Sequence, residues 1–118
     1  MSTQAVVLIV IALVLGAVFM LRPAAGERVN AEQARALIKG GALLVDVRTP
    51  GEFASGHIQG AVNIPLGELG GRAGELGDKN GAVVLYCRSG HRSGQAARQL
   101  KAAGFTSLHD LGPMSAWR

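Results

Sequence analysis

The chain of 118 residues has little cysteine and few aromatic side chains: one Cys, and 4% Phe, Trp and Tyr together. A single thiol excludes an internal disulfide and any zinc site built from several thiolates. Three separated histidines and this one cysteine do not form the spacing of a metal site, so we predict no metal. The net charge is +4, but no basic stripe with interleaved aromatics is present, so we predict no nucleic-acid partner.

Charged side chains are absent from residues 5–21, which read AVVLIVIALVLGAVFML. As a helix, this segment would cover about 25 Å, close to the thickness of the bilayer core. A helix that is apolar on all sides needs burial that so small a domain does not supply. We therefore predict a transmembrane anchor over residues 1–22, with residues 5–21 in contact with the membrane.

A cleaved signal peptide is the alternative for this segment. Signal peptides begin with basic residues and end at a small-x-small cleavage site. Residues 1–4 contain no Lys or Arg, and residues 21–26 contain no A-x-A pattern, which favours the anchor. Arg22 and Arg28 follow the apolar segment, so the positive-inside rule predicts a single-pass protein with its domain in the cytoplasm. An exported, periplasmic domain is the alternative, and residues 23–28 form a short linker in either case.

Helix and strand signals alternate over residues 29–118. Asn30 and Thr49 are N-cap residues with Gln33 and Glu52 three positions later, and glycines follow the predicted helix ends. A third helix is predicted near residues 93–103, and residues 67–81 are Gly-rich and predicted to be a loop with one helical turn near residues 66–69. Apolar runs predict strands over residues 42–47, 61–65, 82–87 and 105–109. This alternation predicts an α/β fold in which helices flank a central, mostly parallel sheet.

Cys87 ends the strand predicted over residues 82–87 and is followed by a short polar, basic loop before a helix: Arg88, Ser89, Gly90, His91 and Arg92. Ligands of parallel sheets bind beyond the carboxyl ends of the strands, and a tight loop opening a helix directs several amides at one anion. Thiolates are stabilised at helix N-termini and beside cations. We therefore predict that Cys87 is a nucleophile and that the 88–92 loop binds an anion. The alternative is an inert cysteine that packs as a small hydrophobic residue.

Asp46 and Arg48 lie at the end of a neighbouring predicted strand. A buried charge needs a partner, so we predict a supporting ion pair or hydrogen bonds there rather than direct catalysis. Glu52 is predicted to cap a helix, and His57 to be a hydrogen-bonded structural residue.

Five segments together resemble one known family, and they are LVDVR (44–48), Glu52-Phe53, GHIQGAVNIP (56–65), CRSGHR (87–92) and LGPMSAW (111–117). The combination is similar to the rhodanese-like domain of single-domain sulfurtransferases, here over residues 29–118. Pro113 stands where the family commonly has a second glycine.

The resemblance implies a rhodanese-type sulfurtransferase without a dissociable cofactor. Cys87 would take a sulfane sulfur from a donor such as thiosulfate, become a persulfide, and pass the sulfur to cyanide or a thiol. A protein sulfur acceptor is an open alternative to the small acceptor. Arg88 and Arg92 are candidates to steer an anionic donor, whereas His91 either shares that role or faces solvent.

Two other functions remain open on the sequence alone. Cysteine-dependent phosphatases and arsenate reductases use a Cys-x5-Arg loop, whereas Cys87 and Arg92 form the shorter Cys-x4-Arg. Non-enzymatic rhodanese-like domains act as binding or sulfur-carrier modules, typically without the loop cysteine. The presence of Cys87 and the loop length favour sulfur transfer over both.

Overall fold

The computed structural model describes residues 2–20 and 26–118, without the side chains of residues 12–20. The helices are α1 (Thr3–Met20), α2 (Ala31–Lys39), α3 (Pro50–Ser55), α4 (Leu69–Arg72) and α5 (His91–Ala102). The strands are β1 (Glu27–Arg28), β2 (Leu43–Asp46), β3 (Val62–Asn63), β4 (Val83–Cys87) and β5 (Leu108–Pro113). Short 3₁₀ helices cover Leu66–Glu68, Ala73–Leu76 and Met114–Ala116.

A parallel sheet forms the centre of the domain, with its five strands in the order β1-β5-β4-β2-β3. All five residues of β4 are buried, because side chains that alternate along the strand pack into two separate clusters. Ala96, Ala97 and Leu100 of α5 belong to one cluster, and Ala34 of α2 belongs to the other. The predicted α/β fold with a central parallel sheet flanked by helices is confirmed.

The capping residues place the starts of two helices as predicted. The Asn30 side chain accepts from the Gln33 N–H at 2.8 Å, and the Gln33 side chain accepts from the Asn30 N–H at 2.9 Å. Thr49 and Glu52 form the same reciprocal box before α3, with Pro50 in the first turn. These contacts join residues three positions apart, so local sequence is sufficient to specify them.

Two strands differ from what the sequence predicted. The predicted linker (23–28) contains β1, which pairs with β5 through Glu27 and Arg28, whereas residues 23–25 lie outside the described residues. The last strand is Leu108–Pro113 rather than 105–109. The Phe105 N–H instead donates to the Leu100 carbonyl, which closes the end of α5 and turns the chain away from the sheet.

The Gly-rich segment 67–81 is more helical than the predicted loop with one turn. It contains α4 and the 3₁₀ helix Ala73–Leu76, preceded by the turn Leu66–Glu68. Leu69 and Leu76 are buried in the α5-side cluster, so core packing holds helical turns that the glycines by themselves disfavour.

The N-terminal helix α1 covers most of the segment predicted to be a membrane anchor. In the described part of the chain, no helix meets the length and apolarity that a membrane crossing requires. The prediction of an anchor over residues 1–22 is therefore not supported, and its residues 1, 21 and 22 lie outside the described residues.

Candidate active site

Cys87 is the last residue of β4 and is fully buried, with 0% of its surface exposed. Its register partner on β5 is Pro113, so the thiol lies at the carboxyl edge of the sheet. Helix α5 begins at His91, two residues before the predicted start, because Gly90 takes a left-handed conformation (φ 97°) that turns the chain directly into the helix.

Two backbone amides point at the sulfur of Cys87. The Gly90 N–H donates to Sγ at 3.0 Å, and the Ser93 N–H donates at 3.3 Å. The Ser93 hydroxyl lies 3.6 Å from Sγ and donates to the Gly90 carbonyl at 3.0 Å, which holds the first turn of α5 closed. Burial alone is typical of an inert cysteine, but amide donors directed at sulfur favour a thiolate or persulfide. Ser93 lies just outside the predicted loop and was missed, although a small hydroxyl residue in the first turn of a helix was a usable signal.

The 88–92 loop presents further donors at the same edge of the sheet. The amides of Arg88, Ser89, His91 and Arg92 have no protein acceptor within residues 2–20 and 26–118. The side chains of Arg88 and His91 are exposed, so they place basic groups on the rim of the loop. Over the same residues, no cluster of three or more His, Cys, Asp or Glu side chains is arranged to hold a metal ion.

Arg92 forms a bidentate ion pair with Glu52. Its Nη1 lies 2.6 Å from Oε1 of Glu52, and its Nη2 lies 2.9 Å from Oε2. The bond from Arg92, followed by the bond from the Thr49 N–H, lowers the pKa of Glu52 to about 2. Glu52 therefore both caps α3, as predicted, and ties α3 to the first turn of α5. Because the guanidinium of Arg92 already has this partner, its role in steering a donor stays a prediction.

Asp46 and Arg48 form a buried ion pair beside the loop, with 0% and 5% of their surfaces exposed. Nη2 of Arg48 lies 2.7 Å from Oδ2 of Asp46, and the same nitrogen donates to the Gly56 carbonyl at 2.7 Å. The bond to Asp46 raises the pKa of Arg48. The Asn63 amide donates to the backbone carbonyls of both residues at 2.9 Å, so the pair and Asn63 hold the ends of β2 and β3 together. Sequence reasoning did not identify Asn63 or the Arg92 contact of Glu52.

Tyr86 lies immediately before the thiol, and its buried hydroxyl accepts from the Ile58 N–H at 3.1 Å. Burial raises the pKa of Tyr86 to about 12. Because this is the only tyrosine in the chain, phenolate absorbance in an alkaline titration reports it alone.

We expect a titration midpoint near 12 in the native protein and near the ordinary value of about 10 in denaturant. The folded state favours the protonated phenol, so this contribution to stability is complete below pH 10 and is lost between about pH 10 and 12. A native midpoint near 10 would show that the hydroxyl is not buried.

A sequence profile described as Rhodanese, rhodanese-like domain, matches residues 30–118. The chain belongs to this family. Thiosulfate sulfurtransferase PspE of Escherichia coli is 44% identical over 69 residues, which are 58% of this chain and 66% of PspE. Thiosulfate sulfurtransferase GlpE of Stutzerimonas stutzeri is 34% identical over 93 residues, which are 78% of this chain and 84% of GlpE.

The fold is also found in the solved structure of the human single-domain sulfurtransferase TSTD1. That structure matches this chain with a TM-score of 0.68 and 28% identity, over 80% of this chain and 95% of TSTD1. The chain nevertheless spans only 37% to 66% of the length of three curated relatives that it matches. The rhodanese-like domain predicted from the sequence is thus confirmed as a family assignment, and the Cys87 loop is its candidate active site.

Proposed function

We propose that this rhodanese-like protein is a sulfurtransferase that moves a sulfane sulfur from thiosulfate to cyanide or a thiol through a persulfide on Cys87. The observation that carries the proposal is the pair of amide donors from Gly90 and Ser93 to Sγ. Relatives named thiosulfate sulfurtransferase, at 44% and 34% identity, support the same activity.

The first half-reaction loads the cysteine. The Cys87 thiolate attacks the outer sulfur of thiosulfate, a new S–S bond forms on Sγ, and the S–S bond of the donor breaks. Sulfite leaves with the electron pair of that bond, and Cys87 carries an anionic terminal sulfur. The amides of the 88–92 loop and the positive end of α5 stabilise this charge.

The second half-reaction unloads the cysteine. Cyanide or a thiolate attacks the terminal sulfur, thiocyanate or a new persulfide leaves, and the electron pair returns to Sγ. The Gly90 and Ser93 amides then hold the regenerated thiolate at the positions seen here. No proton has to be moved by a side chain once the thiolate exists, so Asp46 and Arg48 support the loop rather than react.

Intact mass spectrometry of the full chain, before and after incubation with thiosulfate, tests the proposal. We expect a gain of one sulfur atom, followed by its loss on addition of cyanide with an equal amount of thiocyanate released. A chain that gains no sulfur while its thiol still reacts with an alkylating reagent would contradict the proposed activity.

We also propose that residues 5–21 attach the protein to a membrane, with the domain on the cytoplasmic side. Consecutive apolar side chains of α1 are 44% to 67% exposed, and water disfavours such a surface. In cell fractionation, the full chain should sediment with membranes and be released by detergent. Protease added from the cytoplasmic side should remove the domain, and recovery of the full chain in the soluble fraction would contradict the proposal.

A further inference from the structure

The hydroxyl of Ser93 contacts the reacting sulfur, and the proposed reaction has so far given it no role. Its Oγ lies 3.6 Å from Sγ of Cys87. Both residues are fully buried, with 0% of their surfaces exposed, so neither group has contact with bulk solvent. A charge on a buried atom costs free energy unless hydrogen-bond donors of the protein stabilise it. The charge that Sγ carries in the reaction therefore depends on donors of the chain itself.

The hydrogen of this hydroxyl is directed away from the sulfur in the structure. The hydroxyl donates to the Gly90 carbonyl at 3.0 Å, and its oxygen accepts from the Cys87 thiol. This arrangement suits a neutral thiol, which has a hydrogen to donate. The Gly90 carbonyl also accepts from the Gly94 N–H at 3.2 Å. Because that helical bond remains, the hydroxyl can turn away from Gly90 without leaving a buried acceptor unpaired.

Loss of the thiol hydrogen reverses what the sulfur requires from its neighbours. A thiolate has no hydrogen to donate and can only accept. The amides of Gly90 and Ser93 already donate to Sγ, and their direction is fixed by the backbone. A hydroxyl hydrogen, in contrast, rotates about the C–O bond to suit its partner. The Ser93 hydroxyl can therefore add a donor to Sγ when the sulfur is charged and withdraw it when the sulfur is neutral.

We propose that the Ser93 hydroxyl donates to Sγ when that sulfur carries the charge, and so stabilises Sγ as the leaving group when the persulfide is unloaded. This inference rests on the proposed sulfur transfer and adds a catalytic residue to it. In the loaded chain the charge lies on the terminal sulfur, and Sγ is neutral. When cyanide attacks the terminal sulfur, the S–S bond breaks and its electron pair moves to Sγ, where the hydroxyl donates to it.

This role predicts opposite effects on the two half-reactions, because loading begins with the charge on Sγ and unloading ends with it. One hydrogen bond to a charged group changes an equilibrium about tenfold. In thiol–disulfide exchange, about half of such an effect on a thiolate appears in the rate at which it attacks. A thiolate without this bond should therefore attack thiosulfate about threefold faster. The same thiolate should be expelled about threefold more slowly.

Two full-length variants, studied beside the wild-type chain, test this role. Ser93→Ala removes the hydroxyl but keeps the Cβ and the backbone amide that contacts Sγ. Ser55→Ala is the matched control, because the Ser55 hydroxyl also donates to a backbone carbonyl of its own helix, that of Gly51 at 2.9 Å, at the exposed end of α3.

Intact mass follows loading from thiosulfate, at a pH above which the loading rate of each chain no longer rises. Under that condition the thiol is ionised in every chain, so the rates compare thiolates. Thiocyanate release from pre-loaded protein follows unloading to cyanide. Mixtures of thiosulfate and sulfite give the ratio of loaded to free chain at equilibrium.

We expect Ser93→Ala to load about threefold faster than the wild type and to unload to cyanide about threefold more slowly. Its ratio of loaded to free chain should rise about tenfold in the same thiosulfate and sulfite mixture. Ser55→Ala should match the wild type in all three measurements.

The inference is overturned if Ser93→Ala matches the wild type, or if its two rates change in the same direction, because the hydroxyl would then only hold the first turn of α5 closed. It is also overturned if Ser55→Ala shows the same opposite changes, since they would not depend on contact with the sulfur. A wild-type chain that takes up no sulfur overturns the proposed function, and this inference with it. Uptake by the wild type with an unchanged Ser93→Ala variant overturns the role of Ser93 alone.

Discussion

Cys87→Ser is expected to take up no sulfur from thiosulfate and to release no thiocyanate. A serine hydroxyl is almost entirely un-ionised near neutral pH and is a weak nucleophile, and no other cysteine exists in the chain to replace the thiol. We expect a loss of at least about three orders of magnitude in the loading rate, comparable to the removal of other covalent nucleophiles. Intact mass after incubation with thiosulfate measures uptake directly.

The fold should survive this change, because serine is nearly isosteric with cysteine and can accept from the same two amides. Thermal unfolding of Cys87→Ser beside the wild type is the control, and a similar midpoint would assign the lost activity to the missing sulfur. If the variant still gains a sulfur atom, Cys87 is not the acceptor and the persulfide mechanism is wrong.

Arg48→Met is expected to cause the largest loss of stability, about 3–5 kcal/mol in the free energy of unfolding. The variant would leave the carboxylate of Asp46, with 0% of its residue surface exposed, without its cation. It would also leave the Gly56 carbonyl without the donor that now lies 2.7 Å away. Urea unfolding followed by circular dichroism measures the difference.

Arg72→Met is the matched control for this variant. Arg72 has an equally short contact with Glu75, at 2.7 Å, but 54% of the glutamate side chain is exposed. Water screens such a pair, so the expected loss of stability is much smaller than that of Arg48→Met. The double variant Asp46→Asn with Arg48→Met should be more stable than Arg48→Met alone, because no buried charge remains unpaired. Equal losses for Arg48→Met and Arg72→Met would show that the Asp46–Arg48 site is hydrated.

Local signals in the sequence were sufficient for some elements and insufficient for others. The starts of α2 and α3 were predictable because each capping box joins residues only three positions apart. Strand β1 was not predictable, because two residues in a linker become a strand only when an edge of the sheet is available for pairing. The predicted position of β5 was wrong for a related reason. Asp110 and Gly112 interrupt the apolar pattern of this strand, and its hydrogen bonds are made to β4, which is distant in the sequence.

The sequence by itself determined the chemistry at the centre of the candidate site. A buried apolar strand that ends in Cys87, followed by a basic loop with one glycine, specifies a thiol at the carboxyl edge of a parallel sheet. Periodicity and capping depend only on residues that are close together in the chain, so they can be recognised without knowledge of the fold. The family resemblance rests on the same short segments.

Only the tertiary structure decided which partners the charged side chains contact. The partner of Arg92 lies 40 positions earlier in the chain, at Glu52, and the partner of Arg28 lies 82 positions later, at Asp110. Contacts over such separations depend on how the strands are ordered and how the helices pack on the sheet. Sequence pattern does not encode that order, so the ion-pair partners of Arg28 and Arg92 could not be predicted before the fold was known.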